Sequence, residues 1–251
     1  MLSPQELDQY WEQGFVVCRG LIDGESLERW DRRFRDLVEG RVEAPRGMRF
    51  VRDVMIAKGA VEPASPLHAI NKILAFEGDP VLFEYAKDPR VLERVRSVIG
   101  RDVMTIVTNV IHKPPFVDAR HPLHQDQYYF PLEPADRIIG TWAAVERATR
   151  ENGCLSVIPG THRQPVVKHS LPDWEYVNAH FYGIEDVDLD ARVHVELEPG
   201  DCVFFHPCLF HGSGRNRTSG FRRAMVAHFA SAHCAHTSGP EFRARGFRRL
   251  D

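Results

Sequence analysis

Charged and apolar residues alternate at helical spacing along the first hundred positions, and the texture turns to short β-rich runs from about residue 103. Residues 3–13 open with Ser3 as a candidate N-cap, followed by Pro4 and acidic residues, and predict a short helix. FVVCRGLI (15–22) is an apolar run that reads as a strand. Residues 25–40 carry dense charge at helical spacing and predict a second helix ending near Gly40. Residues 41–70, with Pro45, Pro63 and Pro66, read as irregular: a surface loop, or a lid that orders on binding. Residues 80–99 predict another helix, stopping at Gly100.

Strand-like runs then follow at 103–112, 138–146, 154–158, 193–198, 201–205 and 222–230, with EPGD (198–201) as a compact turn between two of them. Several short strands preceded by helices predict a mainly β fold with flanking helices, a double-sheet barrel or jelly roll. No internal repeat or linker divides the chain, so one domain is expected over 1–251, helical over about 1–100 with a jelly-roll core over about 101–236.

Composition narrows the function classes. A formal charge of -3 gives no footprint for nucleic acid or an anionic membrane, and no apolar run is long enough for a membrane span. Cys18, Cys154, Cys202, Cys208 and Cys234 include no CxxC pair, their number is odd, and the acidic amphipathic start is not a secretory or transit leader. A reducing, cytoplasmic setting is expected. The C-terminal RRLD is not a peroxisomal tripeptide.

The candidate chemistry begins at His124-Gln125-Asp126, the one His-X-Asp in the chain. Alternate residues of a strand face one side, so His124 and Asp126 can enter one cavity while Gln125 points away. With a distant third histidine they would make the 2-His-1-carboxylate triad of non-haem Fe(II) oxygenases. Taken alone, the tripeptide is a weak signal. His206 and His211 compete for the third position, and their odd separation lets only one of them face the metal in an extended segment. His206 precedes Pro207 and can simply cap a strand end. His211 is followed by small residues that permit close backbone approach, and Arg222 comes eleven positions later. An arginine on the next strand suits the distal carboxylate of a dicarboxylic co-substrate.

HPLHQDQYYFPLEPAD, NGCLSVIPGTH, LEPGDCVFFHPCLFHGSG and NRTSGFRRAMVAHFASA resemble the phytanoyl-CoA dioxygenase family, and the resemblance runs from about residue 5 to 236. It implies the double-stranded β-helix, cupin-like form of the jelly roll. It also implies Fe(II), 2-oxoglutarate and O2 as cofactor and co-substrates, with ascorbate in support. Carried over residue by residue, it makes His124, Asp126 and His211 the iron ligands, and Arg222 and Ser213 the holders of the distal carboxylate. Lys72 and Trp142 match further co-substrate contacts; a surface charge and plain core packing are their alternatives. Asn109 stands where the family carries methionine.

The implied reaction is hydroxylation of the 2-position of a branched or straight fatty acyl-CoA, with release of succinate and CO2. Related halogenases replace the triad carboxylate by a small residue, so Asp126 points to hydroxylation. Gln125, Gln127, Tyr128 and Tyr129 are candidates for the substrate side of the pocket, with packing as the alternative for the aromatics. The basic tail, Arg243, Arg245, Arg248 and Arg249, could meet CoA phosphates or lie solvated. Two other readings remain: hydroxylation or desaturation of a small natural product or amino-acid-like molecule, and a catalytically silent jelly-roll binding protein.

Overall fold

Ser3 caps the first helix, Pro4–Gln13, through a reciprocal box: its hydroxyl accepts from the Glu6 N–H at 3.2 Å, and its own N–H donates to Glu6 Oε2 at 2.7 Å. The computed structural model describes residues 1–179, 181–237 and 247–250. The chain turns at Gly14, whose φ of 84° favours glycine, and enters the strand Phe15–Cys18. That strand is shorter than the expected 15–22 run. Asp23 then caps the helix Gly24–Val38 by accepting from the Ser26 N–H at 2.8 Å.

Two expectations for the first hundred residues need correction. The predicted helix over 80–99 is two, Glu84–Lys87 and Pro89–Ile99. Pro89 lacks an N–H and pushes Asp88 to φ −59°, ψ 122°, outside helical space; Asp88 then caps the second helix through the Arg90 N–H. The 41–70 stretch is not wholly irregular. It holds the strand Arg49–Arg52 and the helical turns Val54–Ala57 and Pro66–Ala69, and Arg49–Arg52 pairs with the strand Ile70–Leu74.

The principal sheet has eight strands. Its order runs Phe15–Cys18, Cys202–Phe205, Ile138–Ala144, Arg222–Ser231, Val103–Lys113, Ile70–Leu74, Arg49–Arg52, and Arg248–Leu250 pairs beside Val103–Lys113. A four-stranded sheet faces it, in the order Val193–Val195, Leu155–Ile158, Phe210–Ser213, His121–His124. Pairing is antiparallel in both. The fold is a jelly roll with helices packed outside the larger sheet. Arg248 and Arg249 of the basic tail lie exposed on their strand, whereas Arg243 and Arg245 fall outside the described residues.

Strand parity sorts two apolar layers. On Arg222–Ser231, Ala224 and Val226 face inward with Trp142, Leu155, Val157 and Phe205. Met225, Ala227 and Phe229 face outward, against Trp30, Phe34, Leu92 and Val95 of the helices. Arg222 and Arg223 are therefore separated by the sheet. Arg223 turns to the helical side, where its guanidinium lies 4.3 Å from the Phe34 ring centroid, pairs with Asp31 and donates from Nε to His112 Nδ1 at 3.3 Å. Among the described residues no helix is long and apolar enough to cross a membrane, and all five cysteines are free thiols.

This packing has a pH signature. Burial pushes the His112 imidazole down to about 3, against about 6.5 for a free histidine. The native state therefore binds fewer protons than the unfolded one, so His112 supports the fold fully above pH about 6.5 and loses that support as pH falls towards about 3. Chelator-treated protein is expected to show a falling denaturant midpoint from about pH 7 to about pH 5, with a shallower slope in His112→Gln. An identical slope in the variant would exclude His112 as a source.

Candidate metal centre

The two sheets meet at a cluster of side chains. His211, on Phe210–Ser213, is the Cα partner of His124 at the end of His121–His124. Each imidazole donates Nδ1–H to a carbonyl two residues back, His124 to Pro122 O and His211 to Leu209 O, both at 2.9 Å. Carbonyls only accept, so both rings are fixed as Nδ1–H tautomers with the Nε2 lone pair free. The strand ends at His124; Gln125 stays extended, and Asp126 starts a short 3-10 turn, Asp126–Tyr129. Asp126 thus reaches the cavity from the turn rather than from the strand that the alternation implied.

One ligand atom from each of His124, Asp126 and His211 lies within 4.8 Å of the others. Asp126 Oδ1 is 3.4 Å from His124 Nε2, and Oδ2 is 3.5 Å from His211 Nε2. Ligands about 2.0–2.2 Å from one ion span such edges. Burial pushes the Asp126 carboxyl up, but its imidazole neighbours His228 and His211 outweigh it and hold the group well below the usual carboxylate range. Burial, helped by His124, pushes His211 down to about 4, leaving a neutral imidazole that can coordinate. His206 is elsewhere. Its Nε2 meets Asp136 Oδ1 at 3.1 Å and its Nδ1 accepts from the Cys208 N–H at 3.1 Å, so it caps the strand end.

Several buried or part-buried basic side chains share this interior. Arg222 lies on the inner face, its guanidinium 5.2 Å from the Trp142 ring centroid. Nη2 donates to Gly153 O at 2.9 Å, while Nε and Nη1 are buried without a partner. Desolvation pushes the group down only to about 9, so it stays charged at neutral pH. Lys113, the Cα partner of Arg222, is fully buried, with Nζ donating to Ala119 O and to Gly214 O. Lys72 is partly buried rather than a surface charge; burial pushes it down to about 8, opposed by Asp126. Ser213 follows His211 by two residues and is the Cα partner of His121, whose two ring nitrogens are buried and unpartnered. Asn109 is buried in the inner row that Trp142 and Val226 share.

A buried, half-unpaired guanidinium is costly unless an anion meets it. The donor set therefore fits a dicarboxylate between Arg222 and the cluster, and the two-histidine, one-carboxylate set fits a divalent iron.

The substrate-side expectations divide. Gln125 does not line the cavity: its amide donates to Pro165 O and Cys208 O and accepts from the Val167 N–H, tying three loops together. Gln127 braces its own turn by donating to Phe130 O and Leu132 O. Tyr128 and Tyr129 are exposed at the mouth, Tyr129 with its ring centroid 6.2 Å from that of His124 and Tyr128 stacked on His169 at 4.2 Å.

His228, His121 and Lys113 escaped the sequence reading. His228 was accessible by parity, six residues after Arg222 on one strand. His121 was not, because a β-bulge opposite His211 and Ser213 sets its facing.

Gly140, the Cα partner of both His228 and Phe205, keeps the wall of the site in place, because a Cβ there would overlap the Phe205 ring. That ring packs 4.8 Å from His211. Gly140→Ala is expected to destabilise the protein by about 1–3 kcal/mol through overpacking. An unshifted thermal midpoint would contradict this.

The phytanoyl-CoA dioxygenase family model matches residues 10–224. A probable phytanoyl-CoA dioxygenase of Caenorhabditis elegans is 45% identical over 239 residues, covering 92% of this chain and 76% of that protein. The human peroxisomal phytanoyl-CoA dioxygenase is 42% identical over 239 residues, covering 93% and 70%. Among solved structures, an α-ketoglutarate-dependent carbocyclase of nogalamycin biosynthesis superposes with a TM-score of 0.72 at 17% identity, covering 100% of this chain and 97% of that one. A Micromonospora carbonacea protein complexed with 2-oxoglutarate superposes with a TM-score of 0.71 at 23% identity, covering 97% and 96%. These likenesses establish the shared fold. The chain belongs to the phytanoyl-CoA dioxygenase family and, through it, to the 2-oxoglutarate-dependent dioxygenases.

Proposed function

We propose that the chain holds Fe(II) through His124, Asp126 and His211, binds 2-oxoglutarate, and hydroxylates the 2-position of a fatty acyl-CoA, releasing succinate and CO2. One observation carries this reading: the jelly-roll interior that holds the metal-binding cluster also holds a buried arginine whose Nε and Nη1 have no partner, and buried His121 feels both His124 and Arg222. When bound, iron with its co-substrate supplies the oxidising power that splits O2 between succinate and a C–H bond.

The chain's own residues do the rest. Arg222 and Ser213 receive the distal carboxylate of 2-oxoglutarate, and Trp142 supports the guanidinium face. Lys72 and Asn109 line the same side of the cavity. Phe205, Val226, Ile111 and Val157 wall it with apolar surface that excludes water. Tyr128 and Tyr129 guard the mouth, where substrate enters. The acyl-CoA assignment is supported by the family match and by the 45% and 42% identical relatives, both described as phytanoyl-CoA dioxygenases. The free thiols support a reducing compartment, and we assign the chain to the cytoplasm, acting as one catalytic domain.

The test is succinate release with Fe(II), ascorbate and 2-oxoglutarate across straight and branched acyl-CoAs, their free acids and amino acids. Stimulation by acyl-CoAs alone is expected. Stimulation by free acids or amino acids, with none by thioesters, would transfer the reading to a small-molecule hydroxylase. No succinate under any condition would favour a silent binding protein.

A further inference from the structure

A third histidine touches the cluster. His228 lies on the inner face of Arg222–Ser231, and its Nε2 is 2.7 Å from Asp126 Oδ2, closer than either His124 or His211 comes to that carboxylate. It differs from those two in its backbone ties. They donate Nδ1–H to carbonyls, whereas His228 Nδ1 is buried with no partner. The carboxylate is an acceptor, so His228 carries its proton on Nε2 and has no lone pair there for a metal. Phe130 and Phe205 meet the ring edge-on, with centroids 5.1 and 5.8 Å away, and hold its plane. Gly140 leaves the room in which Phe205 lies.

We propose that His228 is a positioning residue that occupies Oδ2 of Asp126 and so leaves Oδ1 as the single metal-binding oxygen. This rests on the Fe(II) reading above. Its consequence is a matter of counting. Two imidazoles and one carboxylate oxygen would be three protein donors, which would leave an iron open to further ligands. A carboxylate that bound through both oxygens would add a fourth protein donor. By holding Oδ2, His228 would limit Asp126 to one donor oxygen, and it acts through Asp126 rather than on substrate.

The test uses the full-length chain, with His228→Gln, which keeps an N–H donor, and His228→Leu, which has none. Co(II) affinity by chelator competition and the visible Co(II) spectrum are recorded without co-substrate. His228→Leu is expected to bind Co(II) about 10–100-fold more weakly, with an altered spectrum, and His228→Gln to recover most of both. A merely structural role would lower thermal stability and leave the spectrum unchanged. Wild-type affinity and spectrum in folded His228→Leu would overturn the proposal and leave the Fe(II) reading standing. A wild type that bound no divalent metal would overturn both. Should the variants fail to fold, histidine 15N NMR of the Zn(II)-loaded wild type decides: His228 is expected as an Nε2–H tautomer, and an unprotonated Nε2 would overturn the proposal.

Discussion

Asp126→Ala is expected to lower substrate-coupled succinate release by about 10³-fold or more, the scale of the several kcal/mol that a correctly held metal contributes. Asp126 is the one carboxylate in the cluster, its partners His124 and His211 offer imidazole nitrogens, and Lys72 lies within its electrostatic reach. Without the carboxylate a divalent cation would be held by two imidazoles alone. His228 cannot replace it, since its ring is held by Phe130 and Phe205 and points Nε2 at the lost oxygen. The measurement is succinate formation at matched iron loading. Undiminished formation in the variant would remove Asp126 from the account.

Arg222→Ala acts on the other half of the site. The KM for 2-oxoglutarate is expected to rise about 10²-fold or more, since truncating one partner of a buried charge pair costs roughly 2–5 kcal/mol. Arg222→Lys should recover little of this. The fork formed by Nε and Nη1 would be gone, and an ammonium stacks less well on Trp142. Arg223→Ala is the internal control. Its side chain lies across the sheet with Phe34 and Asp31, so stability should fall while the KM for 2-oxoglutarate stays within about twofold. An unchanged KM in Arg222→Ala would place the co-substrate elsewhere.

The parts of this site that the sequence made legible are those governed by local rules. Ser3, Pro4 and Glu6 announce the first helix because a capping box is written within four residues. His124 and Asp126 share a side because one extended residue separates them, and Arg222 stands out by its place on the strand that follows His211. The failures have equally physical causes. The 80–99 helix breaks at Pro89, a residue visible in the sequence but outweighed by the surrounding periodicity. RFVR (49–52) shows no clear alternation because it forms an edge strand, exposed at both ends. Gln125 reads as a pocket residue because its three partners come from loops about forty and eighty positions away, and no local pattern encodes them. His121 likewise escapes local patterns, because a β-bulge opposite His211 and Ser213 sets its facing.

The central claim is that one cavity binds a metal and a dicarboxylate together. Anaerobic calorimetry tests it most directly, by titrating 2-oxoglutarate into Fe(II)-loaded and chelator-stripped protein. The account predicts one-to-one binding to the loaded chain, at least about tenfold weaker when the metal is removed and weaker again in Arg222→Ala. Isotherms that are the same with and without Fe(II), or no binding to the loaded chain, would contradict it.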